Sequence, residues 1–310
     1  MKKIKEKTIL VTGGAGFIGS HVTELLCEKG HAVTVVDDLR FGHEEFVDKR
    51  AKFFRTAIED SQALERALEG IDVVIHLAAS SIITFSYERP IEYFENNLIN
   101  GIKLLETMRK KGVNKIIYSS TSSVYGEPKK VPIKEDDPVN PLNAYASSKL
   151  AFEQALMSYY HSFGIQSVSL RYYNAYGPRD EQKPRTRAVP MWIEAILNNK
   201  PVPWYWQGRQ IRDYVYVKDV AAAHLDVLPL NGVHCFNIGS GFGTVMKDVL
   251  KTLEKIVGRK FKTQDLGERK GDPMESFADI TKIRKAVGWK PKVSLEEGLR
   301  KTLEYYTNQR

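Results

Sequence analysis

The chain has 310 residues, a formal net charge of +8, 42% apolar residues and 27% charged residues. That length exceeds one ordinary hydrophobic core and predicts a large domain with a smaller lobe, and the composition is that of a globular enzyme rather than a disordered or fibrous chain. Lys and Arg interleave with Glu along the expected helices without a recognition motif, so nucleic acid is not an expected partner, and no apolar run reaches the ~18 residues of a membrane span.

An anionic small-molecule substrate accounts for a modest positive excess. Met1 to Lys7 is charged and leads into a strand, unlike a secretory leader. Two cysteines, Cys27 and Cys235, suggest no disulfide framework and fit a reducing cytosol. No metal site is expected.

Thr8 to Thr12 reads as a buried parallel strand, short and apolar. It runs into Val11-Thr12-Gly13-Gly14-Ala15-Gly16-Phe17-Ile18-Gly19, a glycine fingerprint opening a helix near 17–29. Gly13 allows the tight turn, Gly16 lets the backbone approach a pyrophosphate, and Gly19 allows close helix–strand packing. The free N–H groups of that helix, with Phe17 and Ile18 in its first turn, point a positive end at the phosphates.

The next strand, Ala32 to Val36, is followed by Asp37-Asp38-Leu39, and Asp37 lies 18 residues past Gly19. A carboxylate there binds ribose hydroxyls and repels a 2′-phosphate, which favours NAD over NADP. Arg40 argues the other way, and Asp38 has a plain alternative as a turn residue.

A helix near 60–69, a strand Val73 to Leu77, a helix 91–111 and a strand Lys115 to Ser119 continue the alternation. The hydroxyl cluster Ser119-Ser120-Thr121-Ser122-Ser123 sits where an open parallel sheet places its ligands. Within a helix 143–163, Tyr145 and Lys149 are four residues apart and share a face. A free phenol titrates near about 10, and a fixed ammonium beside it favours the phenolate, so Tyr145 is the expected base. A strand Ser167 to Leu170 completes an α/β, Rossmann-like doubly wound parallel sheet.

After Asn174 the alternation loosens. A polar loop runs to Arg187, a helix follows at about 188–199, and Pro201 to Trp206 is rich in Pro and Trp. Arg212 to Val217 reads as a strand, Asp219 as a helix start, His234 to Ile238 as a strand returning to the main sheet, and Ser294 as the start of a closing amphipathic helix. The expected division is an NAD-binding domain, 1–173 plus about 213–239, and a smaller C-terminal α/β substrate lobe, about 174–212 and 240–310.

These residues resemble the extended short-chain dehydrogenase/reductase family, and within it the NAD-dependent nucleotide-sugar epimerases. The resemblance covers nearly all of the chain. It is carried by Thr12 to Gly19, His76-Leu77-Ala78-Ala79, Ser119 to Gly126, Tyr145 to Lys149, Arg171-Tyr172-Tyr173-Asn174, Arg212 to Val217 and Arg269-Lys270-Gly271-Asp272.

The resemblance implies a UDP-sugar 4-epimerase that works through a transient 4-keto sugar. Tyr145 would take the proton from the 4-hydroxyl, Lys149 would tune it and hold the nicotinamide ribose, and Thr121 would stand where relatives have an assisting Ser. Ser122 and Ser123 would meet the sugar. Leu77, Ala78, Ala79, Asn97 and Tyr173 would border the cofactor. Asn174, Arg212 and Arg269 would contact the diphosphate or nucleotide, Asp272 the uridine ribose, and Tyr205 the uracil. A homodimer through the helices 91–111 and 143–163 is implied as well, although Leu98, Leu104, Leu105, Ala151, Phe152 and Leu156 read equally as core.

Three departures stand out. Thr56-Ala57-Ile58 lacks the Asp that contacts adenine in relatives, leaving Ile58 to pack there. Arg187 replaces a phosphate-contacting Asn. Ser276 replaces a bulky gate for the hexose, so UDP-GlcNAc and UDP-GalNAc are expected substrates beside UDP-glucose and UDP-galactose. The alternatives are a UDP-glucuronate 4-epimerase using Arg185 or Arg187, a 4,6-dehydratase or decarboxylase, and a non-catalytic NAD-binding module. The second pair lacks a carboxyl between Ser119 and Tyr125. The last is disfavoured by the intact Tyr145 and Lys149.

Overall fold

The computed structural model describes residues 6–268 and 272–309. By internal contacts the chain divides into two units. The first comprises 1–124, 141–171 and 221–236; the second comprises 125–140, 172–220 and 237–310.

The first unit is built from β1 (Thr8–Thr12), α1 (Phe17–Glu28), β2 (Ala32–Asp37), β3 (Lys52–Arg55), α2 (Ser61–Ala67) and β4 (Val73–His76). It continues with α3 (Ile83–Glu88), α4 (Pro90–Phe94), α5 (Asn100–Lys111), β5 (Lys115–Thr121), α6 (Ala144–Phe163) and β6 (Gln166–Tyr172). The sheet runs β3-β2-β1-β4-β5-β6, and the strand Val233–Ile238 follows β6. This is the doubly wound order, with its switch point between β1 and β4, both parallel to their neighbours. The expected return of the last strand to this sheet is therefore found.

The core explains why these elements form. Leu10, Val74, Ile116, Leu104, Leu105 and Phe152 are all fully buried in one cluster. Leu104, Leu105, Phe152 and Leu156 are thus interior residues of this unit rather than surface. Helix ends follow local chemistry: Asp60 caps α2 through Ala63 N, and Asn143 caps α6 through Ala146 N. Gly164 closes α6 in the left-handed region.

Two local features differ from the pattern reading. Hydropathy alone gives no strand at Lys52–Arg55, because β3 is an edge strand whose Phe53 and Phe54 are only half-buried between charged ends. The single helix expected at 91–111 is instead α4, a π-helical turn Glu95–Ile99, and α5. The wider turn adds a residue and carries Asn97 inward, where it is 1% exposed.

The second unit contains β7 (Asn174–Tyr176), α7 (Ala188–Leu197), β8 (Val202–Trp204), β9 (Ile211–Arg212), β10 (Tyr214–Tyr216) and α8 (Val217–Asp226), whose last residues belong to the first unit. After β11, the strand Val233–Ile238, come β12 (Thr244–Val245), α9 (Met246–Val257), β13 (Thr263–Asp265), β14 (Glu275–Ser276), α10 (Thr281–Val287) and α11 (Leu295–Asn308). Its core gathers Trp192, Val202, Val249, Leu253 and Leu299. Ser294 caps α11, where the amphipathic pattern placed the helix start.

The strand expected at Arg212 to Val217 is broken at Asp213. β9 pairs with β12 and β14, whereas β10 pairs with β7. The Asp213 carboxylate, fully buried, accepts from Ser240 N, Ser240 Oγ, Gly241 N and Ala278 N. That set of bonds requires the chain to change sheets at this residue.

Candidate active site

The glycine loop sits at the switch point of the sheet. Gly13 has φ +73°, and an added Cβ would lie 2.6 Å from Ala78 N. A Cβ on Gly19 would lie 2.0 Å from Gly13 O. Both positions therefore demand glycine for the backbone to close. Gly16 is different, since its Cβ would meet only Gly13 O at 3.3 Å.

Gly16 is the N-cap of α1. No side chain caps that end, and its first turn, with Phe17 and Ile18, holds no acidic residue. With no side chain capping it, the positive end of the helix suits an anion. These features fit the pyrophosphate of a dinucleotide.

At the end of β2, Asp37 accepts from Ala15 N at 3.0 Å and Leu39 N at 2.9 Å. It ties the glycine loop to the strand, and Leu39 takes φ +62° to follow it. Burial pushes the Asp37 carboxyl up, against the two N–H donors. Asp38 accepts from Arg40 N at 2.9 Å, a turn contact. The Arg40 guanidinium is bonded to Glu92. A carboxylate thus engages the cation that a 2′-phosphate would require, which fits NAD.

Thr12 and His76 join β1 to β4 through a 2.7 Å bond, and burial holds His76 neutral, down to about 3. Leu77, Ala78 and Ala79 follow, half-buried, with Leu77 N donating to Thr12 O. Ile58 is 8% exposed and belongs to the core cluster. Asn97 accepts from Ser80 N and donates to Ser80 O and Ser148 Oγ. Ser148 in turn donates to Tyr145 O at 2.8 Å. Asn97 therefore braces the first turn of α6.

Tyr145 lies in that first turn, half-buried, with its ring edge-on to Tyr93 at 6.4 Å. Lys149 is 2% exposed, donates from Nζ to Ser119 O at 2.8 Å and stands 4.9 Å over the Tyr118 ring. Burial pushes its ammonium down to about 7, and Glu153 opposes the shift. Thr121 ends β5, donates to Ser123 Oγ at 3.2 Å and accepts from Ser123 N at 3.1 Å. Ser122 and Ser123 are half-buried in the short 3-10 turn that follows. The arrangement brings a buried amine and three hydroxyl residues to the carboxyl end of one parallel strand, with Tyr145 one helical turn from the amine.

The second unit holds most of the residues expected to contact the nucleotide. Arg212 Nη2 lies 2.6 Å from Asp272 Oδ1, and Gln210 donates to the other oxygen at 2.7 Å. Arg212 and Ser276 are register partners in β9 and β14, and Thr244 is the partner of Arg212 in β12. Asn174 donates from N and Nδ2 to Asp213 O. Tyr173 is 5% exposed, and Tyr205 is half-buried before a 3-10 turn. Arg187 is held by Asp180, which is 2% exposed, with Nε donating at 2.8 Å. Arg269 lies outside the described residues.

Pattern reading did not single out Glu153, Gln210, Asp180 or Asp213 for the site. Only Glu153 left a local signal, the four-residue step from Lys149. The others act through partners distant in sequence.

Comparison with known proteins adds four findings. A model described as the NAD dependent epimerase/dehydratase family matches residues 9–239. The chain is 38% identical over 303 residues to a UDP-glucose 4-epimerase of Lacticaseibacillus casei, covering 92% of each. Among solved structures, it resembles the UDP-glucose 4-epimerase of Thermotoga maritima with UDP-glucose at TM-score 0.94 and 40% identity, over 97% of this chain and 99% of that one. A UDP-N-acetylglucosamine 4-epimerase of Methanobrevibacter ruminantium M1, in complex with UDP-N-acetylmuramic acid, matches at TM-score 0.93 and 34% identity, over 99% and 100%.

Proposed function

The chain belongs to the NAD-dependent epimerase/dehydratase family, and from that premise we infer that it is an NAD-dependent UDP-hexose 4-epimerase, an isomerase of UDP-glucose and UDP-galactose. The observation that carries this reading is Lys149, fixed on the Ser119 carbonyl in a buried site one helical turn from Tyr145.

Gly13, Gly16, Phe17, Ile18, Gly19 and Asp37 hold NAD, which when bound supplies the acceptor and donor of a hydride at the sugar C4 carbon. Tyr145 accepts the 4-hydroxyl proton as C4 becomes a ketone and returns a proton as the opposite configuration forms. Lys149, as an ammonium, favours the phenolate that this step needs. Thr121 donates to the same oxygen. Arg212 and Asn174 hold the diphosphate, and Asp272 holds the ribose; charge-assisted bonds of this kind are the strong ones.

Ser276 supports a wider substrate range. Its small side chain, in register with Arg212, leaves room for an N-acetyl group, so UDP-GlcNAc and UDP-GalNAc are substrates in this reading. The uronate alternative finds less support. The residue expected at the diphosphate beside Arg212 is the neutral Asn174, which suits a plain hexose, while Arg185 and Arg187 are bonded to Glu181 and Asp180.

In this reading the enzyme works in the cytosol as a homodimer. Among the described residues no helix is long and apolar enough to cross a membrane, and neither Cys27 nor Cys235 forms a disulfide. Ile91 is 72% exposed, and Phe94, Ile99, Met157 and Tyr160 also present apolar surface on α4, the π turn and α6. Such a surface suits a second copy.

Incubation of the purified protein with a panel of UDP-sugars, read by NMR at C4, tests the assignment. Inversion of UDP-glucose with no change in mass supports it. Loss of water or carbon dioxide from the sugar replaces it with a dehydratase or decarboxylase.

A further inference from the structure

A buried ion pair lies directly behind the proposed proton-transfer residues. Glu153 is one turn beyond Lys149 on α6. Its carboxylate accepts from Arg171 Nε at 3.0 Å and Nη2 at 2.6 Å, and from the Ser120 hydroxyl. Both charged side chains are only 8% exposed. Burying two opposite charges is seldom more stabilising than an apolar pair of the same volume, so fold stability is a weak reason for this arrangement.

Its placement is more telling. Ser120 stands between Ser119, whose carbonyl holds Lys149 Nζ, and Thr121, whose hydroxyl ends β5. One carboxylate therefore joins β5, α6 and β6 at the residues flanking the reaction. We propose that Glu153 is a positioning residue for proton transfer: it locks α6 against the end of β5 and sets a carboxylate one helical turn from the Lys149 amine. The proposal rests on the assignment of Tyr145 and Lys149 given above.

The other groups around Lys149 do not supply that charge. β5 contributes the Tyr118 ring and the Ser119 carbonyl. On β4, His76 is neutral through burial and stacks on Tyr118 at 5.8 Å. Tyr145 precedes Lys149 on its own helix, and Arg171 of β6 is a cation paired with Glu153. Burial lowers the Lys149 ammonium and Glu153 is the influence that raises it. Replacing the carboxylate by an amide removes that influence and leaves the Arg171 charge uncompensated.

The test uses the full chain with NAD, labelled with ¹³C-lysine, the Lys149 signal being identified by its loss in Lys149→Met. In Glu153→Gln the Lys149 titration midpoint falls by about one pH unit, a tenfold change in proton affinity. The alkaline limb of kcat for UDP-glucose falls with it, while Glu153→Asp, which keeps the charge, recovers at least part of the shift. If Glu153→Gln does not fold, the double variant Glu153→Gln/Arg171→Gln leaves no lone buried charge and is read the same way. A folded variant whose Lys149 titrates as in the wild type overturns the proposal. Should no UDP-hexose be inverted at C4 by the wild type, the functional assignment falls, while the Lys149 midpoint still judges Glu153.

Discussion

Lys149 donates its Nζ proton to the carbonyl of Ser119 at 2.8 Å, and so fixes the active helix to the end of the central strand. This bond places the amine in a site from which solvent is excluded. A charge there has a strong effect on its neighbours, because the local dielectric is low.

Tyr145→Phe removes only a hydroxyl from a half-buried ring. It is expected to cut C4 inversion of UDP-glucose by about 10³-fold, the range of a lost general acid–base group. NAD binding and melting temperature stay near the wild-type values. Activity within tenfold of wild type in an NMR assay contradicts the role given to the phenol.

Lys149→Met separates chemistry from stability. The folded-state lysine is pushed down to about 7 from an ordinary value of 10.5. Between those values the unfolded chain binds the extra proton, so wild-type stability rises as pH rises from about 7 toward 10.5. The variant lacks this slope and melts higher than wild type at neutral pH, although it is inactive. Denaturation of the two apo-proteins across pH 6 to 10 gives parallel stability curves if the amine is not desolvated.

Gly16→Ala and Gly19→Ala distinguish cofactor binding from folding. Alanine at position 19 would collide with Gly13 O, so that variant is expected to unfold or lose much of its melting temperature. Alanine at position 16 meets only Gly13 O, at 3.3 Å, a tight contact that a small shift of the loop relieves. It should fold normally and bind NAD at least about tenfold more weakly, because the added methyl stands where the pyrophosphate approaches. Unchanged NAD affinity by calorimetry in a folded Gly16→Ala protein removes this loop from the cofactor site.

Ser276→Tyr restores a bulky side chain beside Arg212 in the three-stranded sheet. Activity toward UDP-GlcNAc should fall by about 100-fold, a steric exclusion, with UDP-glucose turnover changed by less than about threefold. Parallel kcat/KM measurements on both substrates decide it, and equal losses on both argue against a gate at this position.

Linear order along the chain was sufficient for features whose partners are near neighbours. The spacing of Gly13, Gly16 and Gly19, the four-residue step from Tyr145 to Lys149, the helix caps Asp60, Asn143 and Ser294, and the apolar runs of the parallel strands are all short-range patterns. They gave the doubly wound sheet and the Tyr145–Lys149 pair proposed for proton transfer, because steric fit and periodicity act over a few residues. Only the fold decided where the charges go. Arg187, which stands where relatives have a phosphate-contacting Asn, meets a buried Asp180; Arg212 meets Asp272 across 60 residues; Glu153 meets Arg171 on the next strand. The break at Asp213 and the π turn at Asn97 were likewise invisible in hydropathy. Hydrogen bonds from Ser240 and Ala278 to Asp213, and between Asn97 and both Ser80 and Ser148, impose those shapes, and a polar group's need for such partners when buried becomes concrete only once distant segments meet.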